Sequence, residues 1–320
     1  MAFADLKNDF VFRRIFATHP DILRGLLNDL LERQGDRTID AIEYLPSEQA
    51  PLVAGAKLSI LDVKCKDRSG ATFVVEMQLI HVPGFINRVV YNACKAYVGQ
   101  LKMGRPYTDL ADVVAISICD FAVWPDAEQD AAKLPRVPML SRWNMTERRS
   151  GNHGLLQVQY AFLELPKLPK RRPETGAELW AWLFVHSPEL TEVPPDLPAG
   201  PHRDALELAN EATFTEAELD AYRKVMDEIQ QVRELVAAKR AEGEAAGFAR
   251  GESAGFARGE SAGLAKGRAE AVLAILEARG IAVDDAVRAR IVGCTDAATL
   301  ARWLARAVTA TSAEEVLAES

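Results

Sequence analysis

The stretch that decides the fold is residues 58–79, which read LSILDVKCKDRSGATFVVEMQL. Two mostly apolar runs flank the polar residues 67–70, whose aspartate, serine and glycine favour a tight turn. The pattern predicts a β-hairpin with one isolated acid on each strand, Asp62 on the first and Glu76 on the second. Because the strands of a hairpin are neighbours, these two acids can point into the same pocket.

The two acids, Asp62 and Glu76, need a physical reason to lie in apolar strands. Carboxylates that come close together repel each other and lose hydration, so they either share a proton or bind a cation. A divalent cation is the commonest partner, since carboxylate oxygens are the ligands that hard cations prefer. We therefore predict a metal site here; the alternative is that both acids face solvent.

Composition narrows the class of protein. The chain has 320 residues, is 48% hydrophobic and carries a net charge of −8, so it has material for a sizeable core and does not coat nucleic acid by bulk charge alone. The histidines are scattered, and the cysteines are far apart without a Cys-x-x-Cys motif, which disfavours zinc and predicts reduced thiols in a cytoplasmic protein. No signal-like or membrane-spanning apolar run is present, so secretion and membrane insertion are not expected.

Basic residues concentrate in residues 133–172, which contain nine lysines and arginines against two acids. Arg148 and Arg149 lie at the centre of this segment. The cluster is a candidate rim for nucleic-acid phosphates. Its alternative is a solvated loop surface, because few aromatic residues are interleaved with the charges.

The order of predicted elements indicates an α/β fold. The apolar periodicity predicts helices over residues 9–32, with a bend at His19-Pro20, and over residues 85–102. It predicts strands over residues 41–45, 57–66, 72–80, 113–119 and 157–165. This order suits a mixed sheet flanked by helices.

Several short segments, in this order, resemble one known family. They are NDFVFRRIF at 8–16, LDV at 61–63, VEMQ at 75–78, Arg88 with Tyr91, ISICDF at 116–121 and FLELPK at 162–167. Over about residues 5–240 the sequence resembles the PD-(D/E)XK nuclease superfamily and, within it, the Rpn family of recombination-promoting nucleases and transposases. The resemblance implies a restriction-endonuclease-like core, a mixed central sheet flanked by helices, with an α-helical C-terminal extension.

The resemblance also implies a set of site residues. Asp62, Glu76 and the backbone carbonyl of Met77 would bind Mg²⁺, with Mn²⁺ able to substitute, and the metal would lower the pKa of a bound water. Gln78 stands where the superfamily often has lysine, and its amide can orient that water. The general base stays open, since a second metal or the substrate phosphate can fill that role. Asp9 is either a further acid near the metal or the cap of its helix.

Residues that contact DNA are predicted on the second predicted helix and in the basic segment. Arg88, Tyr91 and Lys95 are spaced at i, i+3 and i+7, so they share a helix face that can meet phosphate. The alternative for this face is solvent exposure, with the aromatic ring packed against the sheet. Together with Arg148 and Arg149 they form the predicted DNA-binding set.

An eight-residue repeat occupies residues 244–267, reading EAAGFARG, ESAGFARG and ESAGLAKG. Glycine recurs at every fourth position from Gly243 to Gly267, and each glycine costs an isolated helix about 1 kcal/mol relative to alanine. We predict a long helix, beginning near Glu216, that pairs through its glycine stripe with the same helix of a second subunit. The competing interpretation is a flexible linker.

These features give a predicted domain organisation and function. A nuclease-like core at 1–172 is followed by a helical extension at 173–242, the glycine repeat at 243–268 and a small helical module at 269–320. Within this last module we predict short helices at 270–279, 284–292, 296–307 and 313–318. The favoured function is a Mg²⁺-dependent DNA endonuclease linked to recombination, mobile elements or phage conflict. The alternative is a non-catalytic DNA-binding or oligomerising scaffold, and an RNA substrate remains open.

Overall fold

The structure is a computed structural model that describes residues 2–49, 59–101 and 103–318. The chain divides into two compact units, Met1–Arg233 and Glu234–Ser320. Each unit buries hydrophobic clusters of its own.

The first unit is built on a six-stranded mixed sheet. Its strand order is β1-β4-β5-β6-β8-β7, and β2 and β3 form a separate two-stranded ribbon. The strands are β1 (Ile42–Tyr44), β2 (Glu48–Gln49), β3 (Ser59–Ile60), β4 (Val63–Asp67), β5 (Thr72–Gln78), β6 (Val113–Cys119), β7 (Leu140–Met145) and β8 (Leu155–Glu164).

The pairing of the strands brings three carboxyl ends to one edge of the sheet. β4 and β5 form the predicted antiparallel hairpin, and Gly70 closes its turn at φ +89°, a value that favours glycine. β5, β6 and β8 run parallel, with Gln78 beside Cys119 and Cys119 beside Glu164. β7 completes the sheet antiparallel to β8.

Helices cover both faces of this sheet. Alternate residues of β5 and β6 enter two different clusters. One is packed with the helices α1 (Asp9–Phe16), α2 (Pro20–Leu30), α5 (Gly176–His186) and α6 (Pro201–Leu208), and the other with α3 (Phe85–Val98). Glu76 and Gln78 belong to the α3 side, since their neighbour Val74 packs there. The helices of this unit are α1 (Asp9–Phe16), α2 (Pro20–Leu30), α3 (Phe85–Val98), α4 (Asp126–Ala131), α5 (Gly176–His186), α6 (Pro201–Leu208) and the start of α7 (Glu216–Ala278).

Two predicted elements are interrupted in the structure. The helix over 9–32 is two helices, and α2 begins at Pro20 because proline fits the first helical turn but not a helix interior. The strand over 57–66 breaks between β3 and β4, with a bend at Asp62. Lys57 and Leu58 lie outside the described residues.

The remaining predictions for the first unit differ in detail. The strands over 41–45, 72–80, 113–119 and 157–165 are confirmed within two residues at each end. The helix over 85–102 ends at Val98, and Lys102 lies outside the described residues. The sequence did not predict β7, because its residues LSRWNM are mostly exposed and lack a clear alternation of apolar and polar side chains.

The second unit is helical. The part of α7 beyond Arg233 is followed by α8 (Asp285–Val292), α9 (Ala297–Ala307) and α10 (Ala313–Leu317). Val272, Leu276, Ile291 and Leu300 are fully buried in its core. The separate helix predicted over 270–279 is wrong, since these residues continue α7 to Ala278, and the glycine stripe lies within the same helix.

Within the described ranges, no helix combines the length and the apolar character that crossing a bilayer requires.

Candidate active site

Glu76 lies near the end of β5, on the side of the sheet that α3 covers, and is only 7% exposed. Two amides hold its carboxylate. Asn92 of α3 donates from Nδ2 to Oε1 at 3.0 Å, and Gln78 donates from Nε2 to Oε2 at 3.4 Å. The side chain is therefore fixed by neighbours that can bind it in its charged form.

Asp62 reaches the same place from the bend before β4. In a regular strand Leu61 and Val63 would share a face, yet they pack in opposite clusters, so the bend turns the Asp62 side chain toward β5. Its Oδ2 accepts the backbone N–H of Met77 at 2.9 Å, and its Oδ1 accepts a hydrogen bond from Arg13 at 2.8 Å. The structure thus brings the two acids together at one end of the hairpin.

The Met77 carbonyl points to the same side of β5 as its N–H group, because both main-chain groups of a strand residue face one neighbour. That neighbour is β4, whose pairing with β5 ends at Val63 opposite Val75. The carbonyl is therefore directed toward Asp62, where the ladder has stopped.

The surroundings of Glu76 perturb its protonation. The pKa of Glu76 is raised to about 7, first by burial and then by the negative charge of Asp62. The charges of Arg88 and Arg13 and the Asn92 hydrogen bond oppose this rise. In the absence of a cation, Glu76 is therefore protonated more readily than an ordinary glutamate.

Asp9 is the first residue of α1 and faces the same site. Burial and the charge of Asp62 raise its pKa, and Arg13 opposes the rise. The suggestion that Asp9 caps the helix is wrong: Asn8 is the cap, accepting the N–H groups of Phe10 and Val11 at 2.9 and 3.3 Å. In the part of the chain that the structure describes, no three His, Cys, Asp or Glu side chains form a metal-binding group, and Asp9 lies beside the two acids without completing one.

The donor set fits a hard divalent cation. Asp62, Glu76 and the Met77 carbonyl supply oxygen atoms only, and Mg²⁺ is commonly held by one or two carboxylates with waters completing its shell. Burial and the repulsion of Asp62 raise the pKa of Glu76, and a bound cation would relieve that repulsion.

Helix α3 places a second group of polar side chains beside the acids. Arg88 donates to Oε1 of Gln78, one helical turn before Asn92. Tyr91 is 42% exposed, so its ring is available at the surface. Lys95 is only 4% exposed and donates from Nζ to the Gln49 carbonyl at 2.7 Å, so this structure does not bring it to the surface.

Arg148 and Arg149 lie in the turn between β7 and β8, beyond the pair Met145 and Leu155. Glu76 aligns through β6 with Phe162 of β8. Leu155, at the turn end of β8, precedes Phe162 by seven residues, so the turn is about 23 Å or more along the sheet from the acids. The structure does not bring these two arginines to the carboxylate pair.

Much of the basic charge in residues 133–172 is paired with acids that lie outside this segment of the sequence. The pairs are Arg136 with Asp130, Arg142 with Glu32, Arg171 with Glu178 and Arg172 with Asp196. The segment is consequently less cationic at its surface than its composition indicates.

Sequence reasoning missed two residues that contact the acids, Arg13 and Asn92. A helical-spacing signal was present for both: Arg13 follows Asp9 by four residues, and Asn92 follows Arg88 by four. Residues four apart share a helix face, so a search outward from the predicted site residues would have found them.

The mixed sheet flanked by helices, with two acids at the open end of its hairpin, defines a PD-(D/E)XK type of nuclease domain. The family model for PD-(D/E)XK nuclease family transposases matches residues 6–236, and the chain belongs to this family. The resemblance drawn from the sequence motifs is confirmed, and so is the predicted fold class. Searches of curated proteins and of solved structures gave no match.

Proposed function

We propose that this protein is a Mg²⁺-dependent endonuclease that hydrolyses phosphodiester bonds in DNA. The observation that carries the proposal is the placement of Asp62, Glu76 and the Met77 carbonyl at one end of the hairpin in a domain of this family. We extend the proposal to a role in recombination, mobile elements or phage conflict, because the family is one of nuclease-type transposases.

A cation in this site would be held by Asp62, Glu76 and the Met77 carbonyl. When bound, Mg²⁺ lowers the pKa of a water and offsets the charge that develops on an attacked phosphodiester. Glu76 would then stay ionised at neutral pH, because positive charge lowers the pKa of a nearby carboxyl. The Gln78 amide lies between Glu76 and Arg88, and we assign it the orientation of the attacking water.

The surface beside the acids offers contacts for DNA phosphates. Arg88 of α3 contacts Gln78, Tyr91 is exposed on the same helix, and we assign both to the DNA-binding surface. Arg148 and Arg149 would reach only flanking duplex, since about 23 Å corresponds to roughly seven base pairs. We assign Lys95 to the support of Gln49, near the site, rather than to direct phosphate contact.

The test is nicking of supercoiled plasmid by purified protein with Mg²⁺, with Mn²⁺ and with chelator. Wild type should nick only with metal, and Asp62→Ala and Glu76→Ala should each lower the rate at least 100-fold, while Glu43→Ala, an exposed acid of β1, should cut normally. A single-stranded RNA of matched length separates the two nucleic-acid substrates. Equal inertness of all proteins, with DNA still bound, would favour the scaffold; activity that survives both substitutions would show that the site is wrong.

We also propose that α7 pairs with the same helix of a second subunit. Among the described residues, no atom other than those of the adjacent residues and the local helix backbone lies within 4 Å of a Cβ placed on any of the glycines from Gly243 to Gly267. Phe248 and Phe256 on the same stretch are 76% and 75% exposed. A lone helix with seven glycines would be unstable in water, whereas a small-residue stripe allows two backbones to approach closely.

Sedimentation analysis tests this pairing. Wild type should be a dimer, and leucine at Gly251 and Gly255 should dissociate it, because the side chains would separate the backbones. Leucine at Ser253 and Ser261, which lie away from the glycine stripe, is the matched control and should leave the dimer intact. A monomeric wild type would refute the pairing.

A further inference from the structure

Arg13 lies beside the carboxylate pair and has no role in the proposed reaction so far. It lies one turn after Asp9 on α1, and the opposite face of that helix is fixed in the core by Val11, Phe12 and Ile15. The rotation of α1 is therefore set, and Arg13 projects toward the carboxylate pair. Its guanidinium donates to Oδ1 of Asp62 at 2.8 Å.

Arg14, the next residue of α1, makes the contacts that are typical of an arginine with a structural role. It is 19% exposed, donates to Glu218 at 2.9 Å and to the Leu208 carbonyl at 2.6 Å, and lies over the ring of Phe214. Arg13, in contrast, is 46% exposed, and within the described ranges its side chain pairs with Asp62. Most of the donors of Arg13 thus remain available to a ligand.

Arg13 borders an open groove of about 590 Å³ beside Asp9, lined also by Ala17, Thr18 and Val225. A nucleic-acid backbone has room to approach the guanidinium along this groove. On the other side of the acids, Arg88 of α3 contacts Gln78. The two arginines therefore flank the carboxylate pair from two different helices.

We propose that Arg13 is a phosphate-binding residue of this site, and that its guanidinium leaves Asp62 for the scissile phosphodiester when the carboxylates take up a cation. The ion pair is open to solvent on its arginine side, with Arg13 46% exposed and Asp62 11% exposed, and a cation bound at Asp62 would compensate the charge that Arg13 leaves behind. Once a cation neutralises Asp62, Arg13 loses its attraction to that carboxylate and is repelled by the new positive charge. A phosphodiester is the anion that a guanidinium fork binds best, through two parallel hydrogen bonds.

This role rests on the proposed nuclease function, and it predicts opposite effects on two binding reactions. Arg13→Ala should bind Mn²⁺ alone about threefold more tightly, because a competitor for Asp62 has gone. The same variant should bind a 20-base-pair duplex, measured by fluorescence anisotropy in Ca²⁺, about tenfold more weakly. Arg13→Lys should restore part of the DNA affinity, since it keeps the charge but lacks the fork.

The matched control is Arg68→Ala, which removes an exposed arginine paired with Asp40 near the hairpin turn. It should change neither affinity. If wild type binds Mn²⁺ and DNA and Arg13→Ala matches it in either measurement, the role of Arg13 is refuted while the nuclease proposal stands. If wild type binds neither, the proposed function fails and the role of Arg13 fails with it.

Discussion

Replacing Glu76 by glutamine should stabilise the metal-free protein, because the wild-type residue holds a buried charge beside Asp62. Burial, and then the charge of Asp62, raise the pKa of Glu76 from 4.5 to about 7. At 1.36 kcal/mol per unit, ionising Glu76 in the folded protein costs about 3 kcal/mol. Glutamine keeps the acceptor for Asn92 but disturbs the Gln78 contact, so we expect a net gain of about 2 kcal/mol.

The gain from Glu76→Gln should depend on pH in a defined direction. Below pH 4.5 Glu76 is protonated in both the folded and the unfolded chain, so wild type carries no penalty. As the pH rises from 4.5 through about 7, ionisation of Glu76 progressively lowers the free energy of unfolding of wild type. Above that range the loss is complete. Glutamine does not titrate, so the advantage of the variant should be small at pH 5 and full at pH 8.5.

Urea unfolding in chelator, at pH 5 and at pH 8.5, measures this difference. The expected gain corresponds to a rise in Tm of roughly 4–8 °C at pH 8.5. Glu43→Gln, at an exposed acid paired with Lys66, is the control and should change stability by less than about 0.5 kcal/mol. A variant that is less stable than wild type at pH 8.5, or that gains equally at both pH values, would refute the account of the carboxylate pair.

Two further predictions follow from the same geometry and from the core. Because protons and cations compete for Glu76, the affinity for Mn²⁺ measured by calorimetry should fall about tenfold for each pH unit below 7. An affinity that is constant from pH 5.5 to 7.5 would contradict the raised pKa of Glu76. Glu164 is fully buried, accepts the N–H groups of Val123 and Trp124 and contacts Lys167, so Glu164→Ala should lower the free energy of unfolding by at least about 3 kcal/mol. A loss below 1 kcal/mol in urea unfolding would show that these bonds are dispensable.

The sequence predicted the hairpin and its two acids because both depend on local patterns. The turn at residues 67–70 has the residues that its backbone requires, and the apolar runs around it fix the strands. The bend at Asp62 could not be predicted, since it arises from the packing of Leu61 and Val63 on opposite sides of the sheet. That bend aims the carboxylate at β5.

Contacts between distant segments explain the other differences. Arg13 meets Asp62 across 49 positions of sequence, and Arg142 meets Glu32 across 110, so no local count of charge reveals either pair. Lys95 shares a helix with Arg88 at helical spacing, yet it is buried and donates a hydrogen bond to the Gln49 carbonyl. Spacing identified the helix, but the fold decides which side chains face the site.

A crystal of the protein soaked in Mn²⁺, with the ion located by its anomalous scattering, would test the metal site itself. We expect one peak within about 2.3 Å of a carboxylate oxygen of Asp62, of a carboxylate oxygen of Glu76 and of the Met77 carbonyl oxygen. A peak at other residues, or a fully occupied ion that Glu76 does not ligate, would contradict the assignment of this pair as the metal site.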